Sequence, residues 1–180
     1  MKKAAKYIET RAMNRIISNG VIALTLIVVI FLAREDLIAQ TARDLVGTWT
    51  LVSSTLEQDS KKTDYFGPNP LGQLMFDPNG HFSEIITRSN LSKFASNNRQ
   101  AGTPEENKAV VEGSTAFFGT YSVSEADHAL KYHIEASTFP NSKGADQKRL
   151  FKLSGDELSW TLATPSVGSG TVYSVWRRTK

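Results

Sequence analysis

Cysteine is absent from the 180 residues, which excludes disulfides, thiolate zinc sites, Cys nucleophiles and lipid attachment at an N-terminal Cys. Histidine is scarce: His81, His128 and His133 are the whole supply. None pairs with another at a metal-ligand spacing along one strand, and His133-x-Glu135 offers only two ligands, so no metal site is expected. A haem would need a proximal histidine, for which His133 is the one candidate, and no cofactor is expected either. There is no G-x-S-x-G elbow, and Gly168-Ser169-Gly170 lacks the following helix that phosphate binding requires. Excess charge is also missing where it would matter. The formal charge is +3, but residues 1–42 hold six Lys/Arg against three Asp/Glu, leaving fifteen of each sign in residues 43–180. A neutral domain gives no electrostatic basis for a nucleic-acid partner. What is present is ordinary for a globular chain, 40% hydrophobic and 22% charged residues, and the length suits one domain plus an appendage.

The appendage reads as a signal peptide or N-terminal membrane anchor over residues 1–42. Lys2, Lys3, Lys6, Arg11 and Arg15 stand against Glu9 alone, and the apolar run 21–33 follows. Its 13 residues, apolar but for Thr25, match a signal-peptide core better than the roughly 20 needed to span a bilayer, although Ile16 and Ile17 extend it. Cleavage near Ala39 or Ala42 is expected, with a retained anchor over residues 16–33 as the alternative, because neither site has a small residue at −3. Met13 is a second possible start. The expectation is export to a periplasm or beyond, with any membrane contact made only through an uncleaved leader.

Residues 43–180 alternate with period two between closely spaced turn signals, the pattern of an all-β fold. About eight strands are expected, near residues 46–57, 71–76, 81–88, 115–124, 129–138, 147–153, 157–164 and 171–179. Asp77-Pro78-Asn79-Gly80, Ser154-Gly155-Asp156 and Gly168-Ser169-Gly170 supply turns, since Pro presets a negative φ and Gly and Asn tolerate a positive one. Thr103-Pro104-Glu105-Glu106 is a capping box with Pro at the first helical position, opening one helix toward Glu112 after a long polar loop at 89–102. Antiparallel strands with one short helix remove their edges most simply by closing into a barrel, and eight strands leave room for packed side chains or one small ligand.

Alternation then assigns faces. Lys148 and Lys152 share one side of their strand, so Arg149, Phe151 and Leu153 point inward. Phe82, Glu84, Ile86 and Arg88 share a face, as do Leu158, Trp160 and Leu162. Leu130, Tyr132, Ile134 and Ala136 oppose Lys131, His133, Glu135 and Ser137, which hydrophobicity alone would turn to solvent. A buried arginine needs a partner, with Glu135 and Glu84 as candidates for Arg149. Arg88, Tyr121, His133, Glu135 and Arg149 are thus candidates for a polar patch inside an apolar barrel, or else snorkelling and surface groups.

The motif Leu45-Val46-Gly47-Thr48-Trp49 resembles the lipocalin signature, in which the Trp closes one end of the barrel and a late basic residue, here Arg177 or Arg178, packs on it. Longer segments, 66–72, Asp77-Pro78-Asn79-Gly80-His81, 102–106, and 133–149 with Phe139-Pro140-Asn141 and Gln147-Lys148-Arg149, are similar to the bacterial and fungal lipocalin-like domain family. The resemblance covers residues 45–179 and implies an eight-stranded lipocalin-like barrel with an internal cavity. It also brings His133, Glu135, Asn141, Gln147 and Arg149 forward as a candidate site, without implying a reaction. Three functions stay open. One is binding of a small hydrophobic molecule, with Trp49 and Phe151 in the apolar lining and Arg149, His133 and Glu135 at the polar end. The second is a cofactor-free isomerase or cyclase acting on a small carbonyl compound, with His133 as acid or base, Glu135 orienting it and Arg149 stabilising an anion. The third is a structural or partner-binding envelope domain.

Overall fold

The computed structural model describes residues 43–124 and 126–180; the leader expected over 1–42 lies outside them. Eight long strands run β1 (Gly47–Gln58), β3 (Leu71–Phe76), β4 (His81–Thr87), β5 (Ser114–Ser124), β6 (Ala129–Ser137), β7 (Asp146–Ser154), β8 (Glu157–Leu162) and β9 (Thr171–Arg178), with a short β2 (Lys61–Asp64) after β1. Each pairs antiparallel with the next, and β9 returns to β1. The sheet therefore closes into an eight-stranded barrel, which leaves no unpaired edge among the long strands. β2 lies against the far half of β1, on the side where β3 pairs with the near half. The sequence pattern does not announce β2. Its hairpin turns on Asp59 and Ser60, both at positive φ, a conformation that the sequence signals clearly only when Gly or Asn occupies it. Among the described residues no helix is long and apolar enough to cross a membrane.

Helix α1 (Pro104–Gly113) begins as the capping box requires. Thr103 accepts from the Glu106 amide at 3.2 Å, and Glu106 accepts from the Thr103 amide at 2.8 Å. Glu106 also accepts from the Ala95 amide, tying the long loop to the helix start, and these amides hold its carboxyl below the ordinary range. At the β3–β4 turn Asp77 does the same work, accepting from the amides of His81 and Asn79, which keeps its carboxyl low.

One end of the barrel is sealed by a packed set that the Gly-x-Trp motif builds. Trp49 is fully buried, its indole N–H donates to the Leu45 carbonyl at 2.9 Å, and the Arg178 guanidinium lies 4.1 Å from its ring centroid. Arg178 also donates to the Val46 and Asp44 carbonyls, so the last strand is stitched to the residues that precede the first. Arg177 is exposed, which settles which of the two basic residues does this. Tyr121 belongs to the same end: its hydroxyl donates to the Asp77 carbonyl, and its ring meets Phe76 edge-on.

Two irregularities set which residues face inward. A register shift between Leu51 and Ser53 turns Ser54 inward after Trp49 and Leu51, and Ser54 bonds Ser174 across the β1–β9 seam. The second lies at Gly119, where β5 crosses β6 so closely that an added Cβ would sit 1.9 Å from the His133 carbonyl oxygen. Because the obstacle is backbone, Gly119→Ala should cost about 3 kcal/mol, seen as a lower urea midpoint with an unchanged m-value. An unshifted midpoint would mean that the β5–β6 crossing is looser than this.

Candidate functional site

The site begins with the alternation of β7. Lys148, Leu150 and Lys152 are exposed, so Gln147, Arg149, Phe151 and Leu153 turn toward the barrel interior. Arg149 is 2% exposed and Glu84, projecting from β4, is equally enclosed. Arg149 Nη1 donates to Glu84 Oε2 at 3.0 Å, and Nη2 donates to Gln147 Oε1 at 2.9 Å. The guanidinium packs against three aromatic rings, with its carbon 4.1 Å from the Trp160 centroid, 4.4 Å from Tyr132 and 5.4 Å from Phe117. Tyr132 in turn stacks on Phe82 at 3.9 Å, and Trp160 lies 6.3 Å from Trp176. Burial pushes the Glu84 carboxyl up, with the Arg149 charge pulling the other way, and burial also raises the Tyr132 phenol far above its ordinary value.

This arrangement leaves polar atoms stranded. Arg149 Nε, the Tyr132 hydroxyl and the indole nitrogens of Trp160 and Trp176 are all buried without a hydrogen-bond partner. They come one each from β7, β6, β8 and β9, so they form a row along one wall of the interior. Leu74, Phe76, Phe82 and Ile86, on β3 and β4, are the apolar counterpart. An unsatisfied buried donor costs about 1–3 kcal/mol, and these four lie on four neighbouring strands.

The residues singled out from the sequence divide accordingly. Arg149 and Gln147 come together with Glu84, and Phe151 is half-buried opposite Trp160 on β8. Arg88 lies past the end of β4, half-buried against Gly113 and Leu91, with its Nε also buried and unpartnered. Trp49 and Tyr121 are at the sealed end, where their polar atoms are already bonded. Asn141 is exposed in the 3₁₀ turn Pro140–Ser142.

His133 and Glu135 require a correction. Both are exposed on the outer face of β6, and His133 Nδ1 meets Asp146 Oδ1 at 2.7 Å, beside a surface groove of about 400 Å³. The physical reason is the strict alternation of β6: Leu130, Tyr132 and Ile134 fill the interior, which forces the intervening residues out. An acid–base pair of His133 and Glu135 acting with Arg149 is therefore not assembled, since the barrel wall separates them. Glu84, Tyr132, Trp160 and Trp176 take the places of those two residues. Alternation had placed Glu84, Tyr132 and Trp160 inward, but it did not show that the polar atoms of the aromatics would go unpaired.

A closed eight-stranded antiparallel barrel, sealed at one end by a tryptophan under an arginine, defines a lipocalin-type architecture. The lipocalin-like domain family matches residues 46–179, and the chain belongs to that family. No curated protein matches the chain. Among solved structures it is similar to a selenomethionine derivative of a biogenic amine-binding protein, with 13% identity over 75% of this chain and 64% of that one, at a TM-score of 0.37. It is also similar to the tryptamine complex of the amine binding protein of Rhodnius prolixus, with 12% identity, 75% and 63% coverage and a TM-score of 0.39. A mutant of the fluorescent protein UnaG matches with 13% identity, 74% and 95% coverage and a TM-score of 0.34. The chain spans a little under two thirds of the two amine-binding proteins.

Breaking the buried pair should be costly, while replacing it whole should not. Arg149→Met or Glu84→Gln alone should each lose about 3–5 kcal/mol, and Arg149→Met with Glu84→Leu should recover most of the loss in urea unfolding. The pH dependence has a definite sign. A carboxyl raised above its ordinary 4.5 keeps its proton in the folded state where the unfolded chain has lost it, so its contribution is greatest at acid pH and declines as pH rises through the folded value. Stability measured from pH 4 to 8 should fall more steeply with pH in the native protein than in Glu84→Gln, and parallel curves would contradict the assignment.

Proposed function

We propose that this is an exported lipocalin-like protein that binds a small, mostly apolar molecule inside the barrel, with the molecule's polar end set against Arg149. The observation that carries the reading is the four stranded polar atoms on neighbouring strands of a largely apolar interior. A structural core gains little from a buried ion pair, since joint replacement of both partners by apolar side chains is often neutral, whereas a binding site needs a fixed polar group among aromatic walls. Phe117 and Phe151, only half-buried, supply flexible apolar contact next to Arg149 and Trp160. Export is supported by the basic stretch 2–15 followed by the apolar run 21–33.

A second reading is a barrel filled by its own side chains that meets a partner on its outer wall. Close packing around Trp49, Leu74, Leu158 and Trp176 favours it, as do the exposed Leu71, Met75, Ile85 and Phe118 on neighbouring strands β3, β4 and β5.

Native mass spectrometry of the protein isolated gently from its source cells separates the two. Ligand carriage predicts a reproducible added mass that disappears after organic extraction and that Arg149→Lys retains poorly. Bare protein in every preparation would favour the filled barrel. The intact mass also reads the N-terminus, with processing near residues 39–42 expected.

A further inference from the structure

The four stranded atoms have a chemical sign. Arg149 Nε and the indole nitrogens of Trp160 and Trp176 are N–H groups that can only donate, and the Tyr132 hydroxyl can donate as well. Each belongs to a residue at most 4% exposed. The charge of the guanidinium is already matched, because Glu84 accepts from it at 3.0 Å within the same enclosure. A second anion would face the Glu84 carboxylate, and a cation would face Arg149. Ammonium groups also bring only donors to a wall of donors. Flat apolar atoms, by contrast, are well matched to the stacked pair of Phe82 and Tyr132 and to the Trp160 ring beside the same guanidinium.

Resting on the binding reading above, we propose that the barrel selects neutral, planar, apolar molecules bearing a hydrogen-bond-accepting oxygen, such as an aryl or conjugated ketone, and discriminates against amines and carboxylates of the same shape. The oxygen accepts from one or two of the free donors on Arg149, Tyr132, Trp160 and Trp176, while Glu84 neutralises the site rather than binding the ligand. Selection of this kind is strong because a donor left unpaired by the wrong ligand keeps its full burial cost.

Four probes on one scaffold test it by equilibrium dialysis against the full chain: 2-acetylnaphthalene, its hydrocarbon isostere 2-isopropylnaphthalene, 2-naphthoate and 2-naphthylmethylamine. The ketone should bind about tenfold more tightly than each of the others, from about one or two hydrogen bonds gained. Trp160→Phe, which keeps the ring and removes one donor, should weaken the ketone several-fold and leave the hydrocarbon unchanged. Binding in which the amine or the carboxylate equals the ketone would overturn the selectivity while leaving ligand binding in place. Equal binding of ketone and hydrocarbon would show that the donors are not used. Failure of all four probes to bind would overturn both this inference and the binding reading.

Discussion

The ion pair between Arg149 and Glu84 is the constraint around which the interior is organised. Enclosing two charges costs several kcal/mol each, and one 3.0 Å hydrogen bond does not offset that alone. The surrounding residues supply the rest: Gln147 takes a second guanidinium N–H, and Tyr132 and Trp160 pack against the group. The barrel makes this possible because Glu84 and Arg149, 65 residues apart, lie on β4 and β7, which do not pair. The pair spans the interior, and its aromatic cover extends it to Phe82 on one side and Trp176 on the other.

The two ends of the polar chemistry are differently finished. The plug residues at the sealed end have partners: Trp49 has Leu45, Arg178 has two carbonyls, and Tyr121 has Asp77. Around Arg149 the opposite holds, with four atoms buried and unpaired. The same chain gives the Trp49 indole an acceptor in one place and leaves the Trp160 and Trp176 indoles and the Nε–H of Arg149 without one in the other. The binding proposal rests on that contrast.

Much of the fold was legible because closure and alternation are local properties. Eight strands, the capping box at Thr103, the inward face of Arg149 and the role of a late arginine over Trp49 all follow from period two, turn chemistry and the Gly-x-Trp motif. β2 was not legible, because Asp59-Ser60 adopts a turn that its residue types do not demand. Alternation put Glu84 inward and Glu135 outward, but that Glu84 on β4 reaches Arg149 on β7, a strand it does not pair with, emerges only from the closed strand order. For His133 and Glu135 the plain hydrophobic pattern was the better guide than family likeness: a strand in a closed barrel has no freedom to turn one residue inward without turning its neighbours out.

The three tryptophans allow a direct test of the central claim, that the interior row around Arg149 receives a ligand. Each indole N–H gives its own nitrogen-edited proton resonance, and only that of Trp49 already has an acceptor. On adding an organic extract of the source cells, the account predicts that the Trp160 and Trp176 indole signals shift downfield as they gain an acceptor, while that of Trp49 stays in place. If neither of the two moves, or if only Trp49 responds, the interior is a filled core and the account of Arg149 as a binding group is wrong.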